Sequence, residues 1–493
     1  MKQFFIKINF PIYSARNSSK KTFSKGLILL NVLLFGVIAI IVTTALINWA
    51  TTMLRSSKQL GHREQAFQIA EAGIDYYRWH LAHAQNDYTD GIATTTNGPF
   101  LHDFKDKDGN IVGQFSLTIT PPSTGSTIVI IKSKGAVVED PLVSRTIQTT
   151  LGIPSLAKYS VVANDVMRFG DGTEVFGPIH SNNGVRFDGL AHNIVTSAKD
   201  KYIDPDNPGA YRFGVYTTVG ADDPSPPAIV PNRPDVFMAG RQFPVPAIDF
   251  IGMTTDLSDM KTIAQESERY FASSGAQGYH IILKTNDTFD LYKVTSLTSP
   301  SHNCERDNQD QDNWGTWSIQ NQQFLQNYSF PLNGTMFFED NIWVDGKINT
   351  ARITIAVGKF PDSPSARKNI TVNDDLLYTN YDGQDALALV AQGNINAGLS
   401  SENDLRIDSA LVAQNGRVGR YYYSNRCGTG YVRDVLTLYG MIATNIRYGF
   451  AYTNGTGYNT RNIIYDSYLL YAPPPNFPLT SDRYITISWD EIK

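Results

Sequence analysis

The chain of 493 residues has only two cysteines, Cys304 and Cys427. Two isolated thiols lack the paired spacing that zinc needs, and neither carries the mark of a nucleophile. An oxidising exterior permits them to pair, but their wide separation in sequence leaves the pairing open. Charge is scarce as well, at 18% of residues with a net −5. Lysine and arginine form no basic stripe, so binding to phosphate backbones is disfavoured and no nucleic-acid partner is expected. Proline is absent from residues 14–98, so nothing there interrupts a helix. The oxygen-rich loop with Asp307, Asp310 and Asp312 is a calcium candidate that lacks the closing glutamate. No other metal and no cofactor is expected.

What is present begins with six basic residues, Lys2, Lys7, Arg16, Lys20, Lys21 and Lys25, and no acid among them. Gly26 then opens an apolar run that stays uncharged through Ala50. About 20 apolar residues at about 1.5 Å each span a hydrocarbon core. The positive-inside rule keeps 1–25 in the cytoplasm and sends the remaining chain outward. A cleavable secretory signal would be shorter and end in small residues.

The helical pattern continues beyond the membrane. Phe67, Ala70, Ile74, Tyr77 and Leu81 recur at helical spacing, with Arg63, Glu64, Glu71, Asp75 and Arg78 between them. A single helix over 26–85 is expected, about 85 Å long. Its outer half carries an apolar stripe, which a plain stalk does not need and a packed subunit does.

The basic leader, Lys25-Gly26, the apolar helix and the run Ala66-Phe67-Gln68-Ile69-Ala70-Glu71-Ala72-Gly73 resemble the type IV pilin-like proteins, and among them the PilX-like minor pilins. The resemblance covers roughly residues 20–85. It implies that a prepilin peptidase cuts between Gly26 and Leu27 and that the mature helix packs with other pilin-like subunits in a filament. It also implies assembly roles for Asn31, Phe67, Ala70, Glu71, Ile74 and Tyr77. Major members of the family carry a glutamate at the fifth mature position, paired with a neighbour's terminal amine. Here that position is Asn31, which avoids a buried charge and suits a subunit at the tip, where no amine awaits neutralisation.

Residues 86–154 alternate like antiparallel strands, at 110–119, 127–132 and 144–151. A Lys107-Asp108-Gly109 turn precedes the first. With the helix they form the small pilin-like unit of an α+β protein. Residues 155–493 read as a second, mainly-β unit. Leu389-Val390-Ala391-Gln392 recurs 22 residues later as Leu411-Val412-Ala413-Gln414, and 436–442 make a looser copy. That period fits a parallel β-helix, or solenoid, of right-handed sense; a large sandwich is the alternative. The Pro/Gly/Asp-rich stretch 204–246 reads as a surface excursion, and 250–275 as a helical segment closing one end of the stack.

Candidate chemistry in the second unit is thin. The acid pairs Asp374/Asp375, Asp382/Asp385 and Asp404/Asp408 lie where turn-forming aspartate is common, so the chain is not expected to be an enzyme. Tyr421, Tyr422 and Tyr423 beside Arg420 form a candidate contact for a surface or polysaccharide ligand, although tyrosine is equally at home inside β structure. The expected protein is inserted in the membrane with its N-terminus cytoplasmic, then carried outside in a filament for adhesion or filament initiation. A surface-anchored solenoid outside any filament is the alternative, and an extracellular polysaccharide-active enzyme is a third reading.

Overall fold

A computed structural model describes residues 25–492 apart from 93–95, 97, 251, 309, 481 and 482, with backbone only at 25–27 and 252–256. The basic leader therefore lies outside the described residues. Helix α1, Lys25–His83, runs unbroken for 59 residues. Its first half is bare on every side, with Ile28, Leu33, Phe35, Ile40, Ile47 and Leu54 all largely exposed. The polar hydroxyls in this half are satisfied within the helix, Thr43 and Thr44 donating to the carbonyls of Ala39 and Ile40 at 2.7 and 2.8 Å. That arrangement suits an apolar solvent, which offers no other partner.

From Ala66 onward the same helix is sealed against four antiparallel strands, β1 (Phe100–Lys105), β2 (Ile111–Thr120), β3 (Val129–Val137) and β4 (Asp140–Gly152). Ala66, Ile69, Ala70, Ile74, Tyr77 and Leu81 are buried there, against Phe115, Leu117, Ile131 and Ile147. Small residues set the approach. A Cβ on Gly135 of β3 would lie 2.2 Å from the Ala66 carbonyl and 2.4 Å from the Ala70 nitrogen. One on Gly73 would meet Ser133 at 2.3 Å. The AxxIAxxG spacing thus has a packing cause: at i, i+3, i+4 and i+7 it lays one narrow helix face onto glycine in a strand. The sheet's fifth strand, Ile485–Ile492, comes from the chain's other end and pairs antiparallel with β4. This moves the boundary drawn from sequence, which left 485–492 in the large unit.

In the large unit, three sets of short strands stack in parallel register. The longest column pairs Met336 with Ile355, Ile355 with Leu389, Leu389 with Leu411 and Leu411 with Ile442. It continues through Val161, Ile179 and Val195. All eight are buried in one apolar core, and the repeat seen at 389 and 411 is two steps of this column. Side-chain amides stitch one set of turns together: Asn341 Oδ1 accepts from the Asn369 nitrogen at 2.9 Å and Asn369 Oδ1 from the Asn394 nitrogen at 2.7 Å. Asn394 Oδ1 accepts from the Arg417 nitrogen at 2.9 Å.

The order along the column is not the order along the chain. The chain enters mid-stack at Val161–Ala163 and steps outward through Ile179–Ser181 and Val195–Ser197 to Arg241–Gln242. After α2 (Gly252–Glu266) it resumes at the opposite end, where Tyr270–Phe271 pairs with Thr335–Phe338. From there it winds back until Ile442 meets Val161.

Two expectations are corrected. Helix α2 does not close an end: Leu257, Met260 and Ala264 pack with Phe337, Ala356, Ala388 and Val390 on the column's outer surface, where small residues leave room for a helix. Nor is 204–246 wholly a surface excursion. Tyr211–Phe213 pairs with Lys201–Ile203, Val215–Tyr216 with Val185–Phe187, and Phe237 is buried in the core.

Candidate functional site

The processing residues Lys25, Gly26 and Leu27 lie where only backbone is described, at the start of α1. Of the residues assigned to filament assembly, Asn31 and Glu71 are exposed. Ala70, Ile74 and Tyr77 are buried under the chain's own sheet, and the Tyr77 hydroxyl donates to the Asp87 carbonyl at 3.0 Å. Ala70 and Tyr77 are therefore removed from any contact surface, and Ile74 reaches one only in the groove beside the helix. Phe67 is half-buried, edge-on to Trp489 at 5.8 Å. Between α1 and the strand Ile485–Ile492 lies a groove of about 400 Å³, lined by Glu71, Ile74, Arg78, Thr149, Thr486 and Trp489.

The Tyr/Arg face is also corrected. Arg420, Tyr421 and Tyr423 are 0%, 2% and 1% exposed. Arg420 donates to Ser401 Oγ at 2.7 Å and to the carbonyls of Gly398, Leu399 and Gly430, and stacks on Tyr423 and Tyr458 at 4.9 and 5.6 Å. A guanidinium that spends its donors on carbonyls is a structural pin. Only Tyr422 is partly open, edge-on to Tyr452.

Cys304 and Cys427 are joined in a disulfide, which ties the short helix His302–Asn308 to the turn at Asn425–Cys427. Of the calcium candidates, Asp307 is paired with Arg426 at 3.2 Å, which occupies the carboxylate that would open the site. Asp310 and Asp312 are exposed, and no metal-holding group of three acids, histidines or cysteines exists among the described residues.

Most of the acid pairs are structural. Asp385 accepts from the nitrogens of Ala351, Thr379 and Asn380. Asp408 accepts from Tyr381 at 2.6 Å and Arg406 at 2.8 Å. Asp382 accepts from Gln384, and Asp404 is exposed. Asp374 differs. It lines a cleft of about 230 Å³ with His280, Ser318, Trp343, Asp345, Asn373 and Ser400. His280 hydrogen-bonds through Nε2 with Asp345 at 2.5 Å and through Nδ1 with Gln322 at 2.7 Å. Burial opposes its protonation, but those two partners outweigh it and raise its pKa. Partial burial and the neighbouring Asp345 and Asp375 push Asp374 up. Burial and the charges of Asp375 and Asp374 do the same for Glu402. Parallel stacking brings these acids together from positions far apart in sequence. Only the adjacent Asp374 and Asp375 left a trace in the sequence, and His280, Asp345 and Glu402 left none.

No protein-family model matches this chain. No curated protein matches it either. Among solved structures, the competence-associated pilin ComZ from Thermus thermophilus aligns with 87% of this chain and 98% of its own length. Identity is 13% and the TM-score 0.27, a superposition too loose to carry an argument about shared architecture or activity.

Proposed function

We propose that the chain is a subunit of a type IV pilin-like filament that holds a large β unit, wound as a solenoid, outside the cell. The observation that carries this reading is the division of α1. Its outer half is finished by the chain's own sheet, whereas the first half, long and apolar enough to cross a membrane, has no partner among the described residues. A membrane supplies one before assembly and neighbouring helices supply one afterwards. The Lys25-Gly26 junction supports processing at Leu27, and Asn31 supports a minor subunit near the filament end. The parallel columns support the solenoid, since each coil buries its apolar residues against the next.

The work of the large unit is contact rather than turnover. With Arg420, Tyr421 and Tyr423 internal, the cleft around Asp374 replaces them as the place for a polar ligand such as a polysaccharide. N-terminal sequencing of protein from surface fractions tests the filament reading. A mature chain starting at Leu27, together with antibody labelling of purified filaments, is expected. An uncut chain retained in the membrane supports the surface-anchored alternative. The enzyme reading rests on the raised acids of the cleft, and turnover on a polysaccharide panel that vanished in Asp374→Asn would establish it.

A further inference from the structure

The strand Ile319–Ser329 is the outermost of three antiparallel strands that extend from the stack, after Gly278–Lys284 and Thr288–Leu297. Among the described residues it pairs on one side only, with Thr288–Leu297. Residues 320–327 are exposed on both faces, with Phe324 at 52% and Leu325 at 43%. An open row of backbone donors and acceptors of this length invites pairing, and proteins usually blunt it with charge or proline. The edges of the small sheet are blunted so, by Asp103 and Lys105 in β1 and by Asp490 and Glu491 in Ile485–Ile492. Ile319–Ser329 contains neither a charged residue nor a proline.

Its sequence is also nearly the same in both directions. Around Phe324, Asn321-Gln322-Gln323 on one side answers Leu325-Gln326-Asn327 on the other. We propose that this strand pairs antiparallel with the same strand of a second copy, about a two-fold axis at Phe324, joining the two three-stranded extensions into one continuous sheet. Asn321 then faces Asn327, Gln322 faces Gln326, and no like charges meet across the axis. Several of these side chains are already held. Asn321 donates to Ser296 Oγ at 2.9 Å, Asn327 to Asp290 at 2.8 Å, and Phe324 sits edge-on to Tyr292. Pairing therefore orders little that is free. The register shift that leaves Leu325 without a partner in Thr288–Leu297 turns Gln326 and Asn327 over, so the amide pairs form as that bulge straightens. Two single edge strands make a small contact, so the dimer is weak and concentration-dependent. The inference is independent of filament assembly.

The test uses the full chain in detergent micelles, with cysteine introduced at single positions and mild oxidation. Phe324→Cys, on the axis, is expected to cross-link between copies, and Gln320→Cys, which faces Tyr328 of the other copy, is not. Phe324→Lys sets two like charges against each other and is expected to lower the dimer seen by light scattering about tenfold. Unchanged circular dichroism and an intact Cys304–Cys427 bond verify folding of each variant. Equal cross-linking at 320 and 324, none at 324, or a dimer indifferent to Phe324→Lys would each overturn the proposal. The last outcome would move the interface to α1.

Discussion

The two halves of α1 are one helix with opposite fates. Residues 28–50 carry no charge, are apolar around most of the circumference and are bare; residues 66–81 are apolar on one side and closed. The difference teaches that apolar content alone does not bury a helix within its own chain. What buries the outer half is a stripe of small residues fitted to a glycine in β3. Without such a stripe the inner half is left to an outside solvent or partner.

The largest effect should come from removing a sealed aromatic. Tyr77→Ala is expected to destabilise the small unit by about 3–5 kcal/mol, while Leu34→Ala in micelles should change unfolding by less than about 1 kcal/mol. Urea denaturation of both would erase the contrast if their midpoints moved alike. Next come two glycines of the same helix, one in each half. Gly73→Ala must displace Ser133 and Phe115 and should cost about 1–3 kcal/mol. Gly36→Ala meets nothing within 4 Å and should stabilise the helix by about 1 kcal/mol. Thermal scans showing both destabilised would place a hidden neighbour on the inner half.

A smaller effect, about 1 kcal/mol, is expected from Trp489→Ala, which removes the edge-on contact with Phe67. Faster hydrogen exchange in 485–492 should accompany it, and unchanged exchange would show that the backbone ladder alone holds the strand. The smallest concerns the end of the sealed half. Partial burial works against ionisation of Asp87, but hydrogen bonds from Thr89, Gly91 and His80 prevail and hold it below its ordinary 3.8. A depressed carboxyl stabilises the fold above that ordinary value, and the gain is lost as pH falls through the lowered one. Acid titration of stability should therefore lose part of its slope in Asp87→Asn; an unaltered profile would free the helix end of this dependence.

Sequence made the helix and the first sheet readable because their contacts are local in pattern. Spacing at Phe67, Ala70, Ile74 and Tyr77 named the buried side, and the three strands expected between 110 and 151 lie within β2, β3 and β4 apart from residues 110, 127 and 128. The repeat at Leu389 and Leu411 named two steps of the column. The strand Ile485–Ile492 was not readable, since its partner β4 lies more than 300 residues earlier and its own alternation is short. The split winding was equally hidden, because strands of two or three residues carry no register of their own. Tyr421 and Tyr423 misled for a related reason. Nothing in a run of tyrosines tells whether a distant loop will cover it, and here the disulfide-tied segment does, Gly315 and Asp312 accepting from their hydroxyls.

The chain enters the stack at its middle and, after closing the column beside that entry, returns to the small sheet as the strand next to β4. Tension between α1 and the far tips of the large unit would therefore not peel coils away one by one from a free end. It would be carried into the neck by two covalent strands, one leaving β4 and one arriving at Ile485, joined by their own ladder of hydrogen bonds. A protein held by its helix and tugged by whatever it touches would be loaded first at that neck, where Gly152 and Ile485 lie side by side, and not at the outer coils.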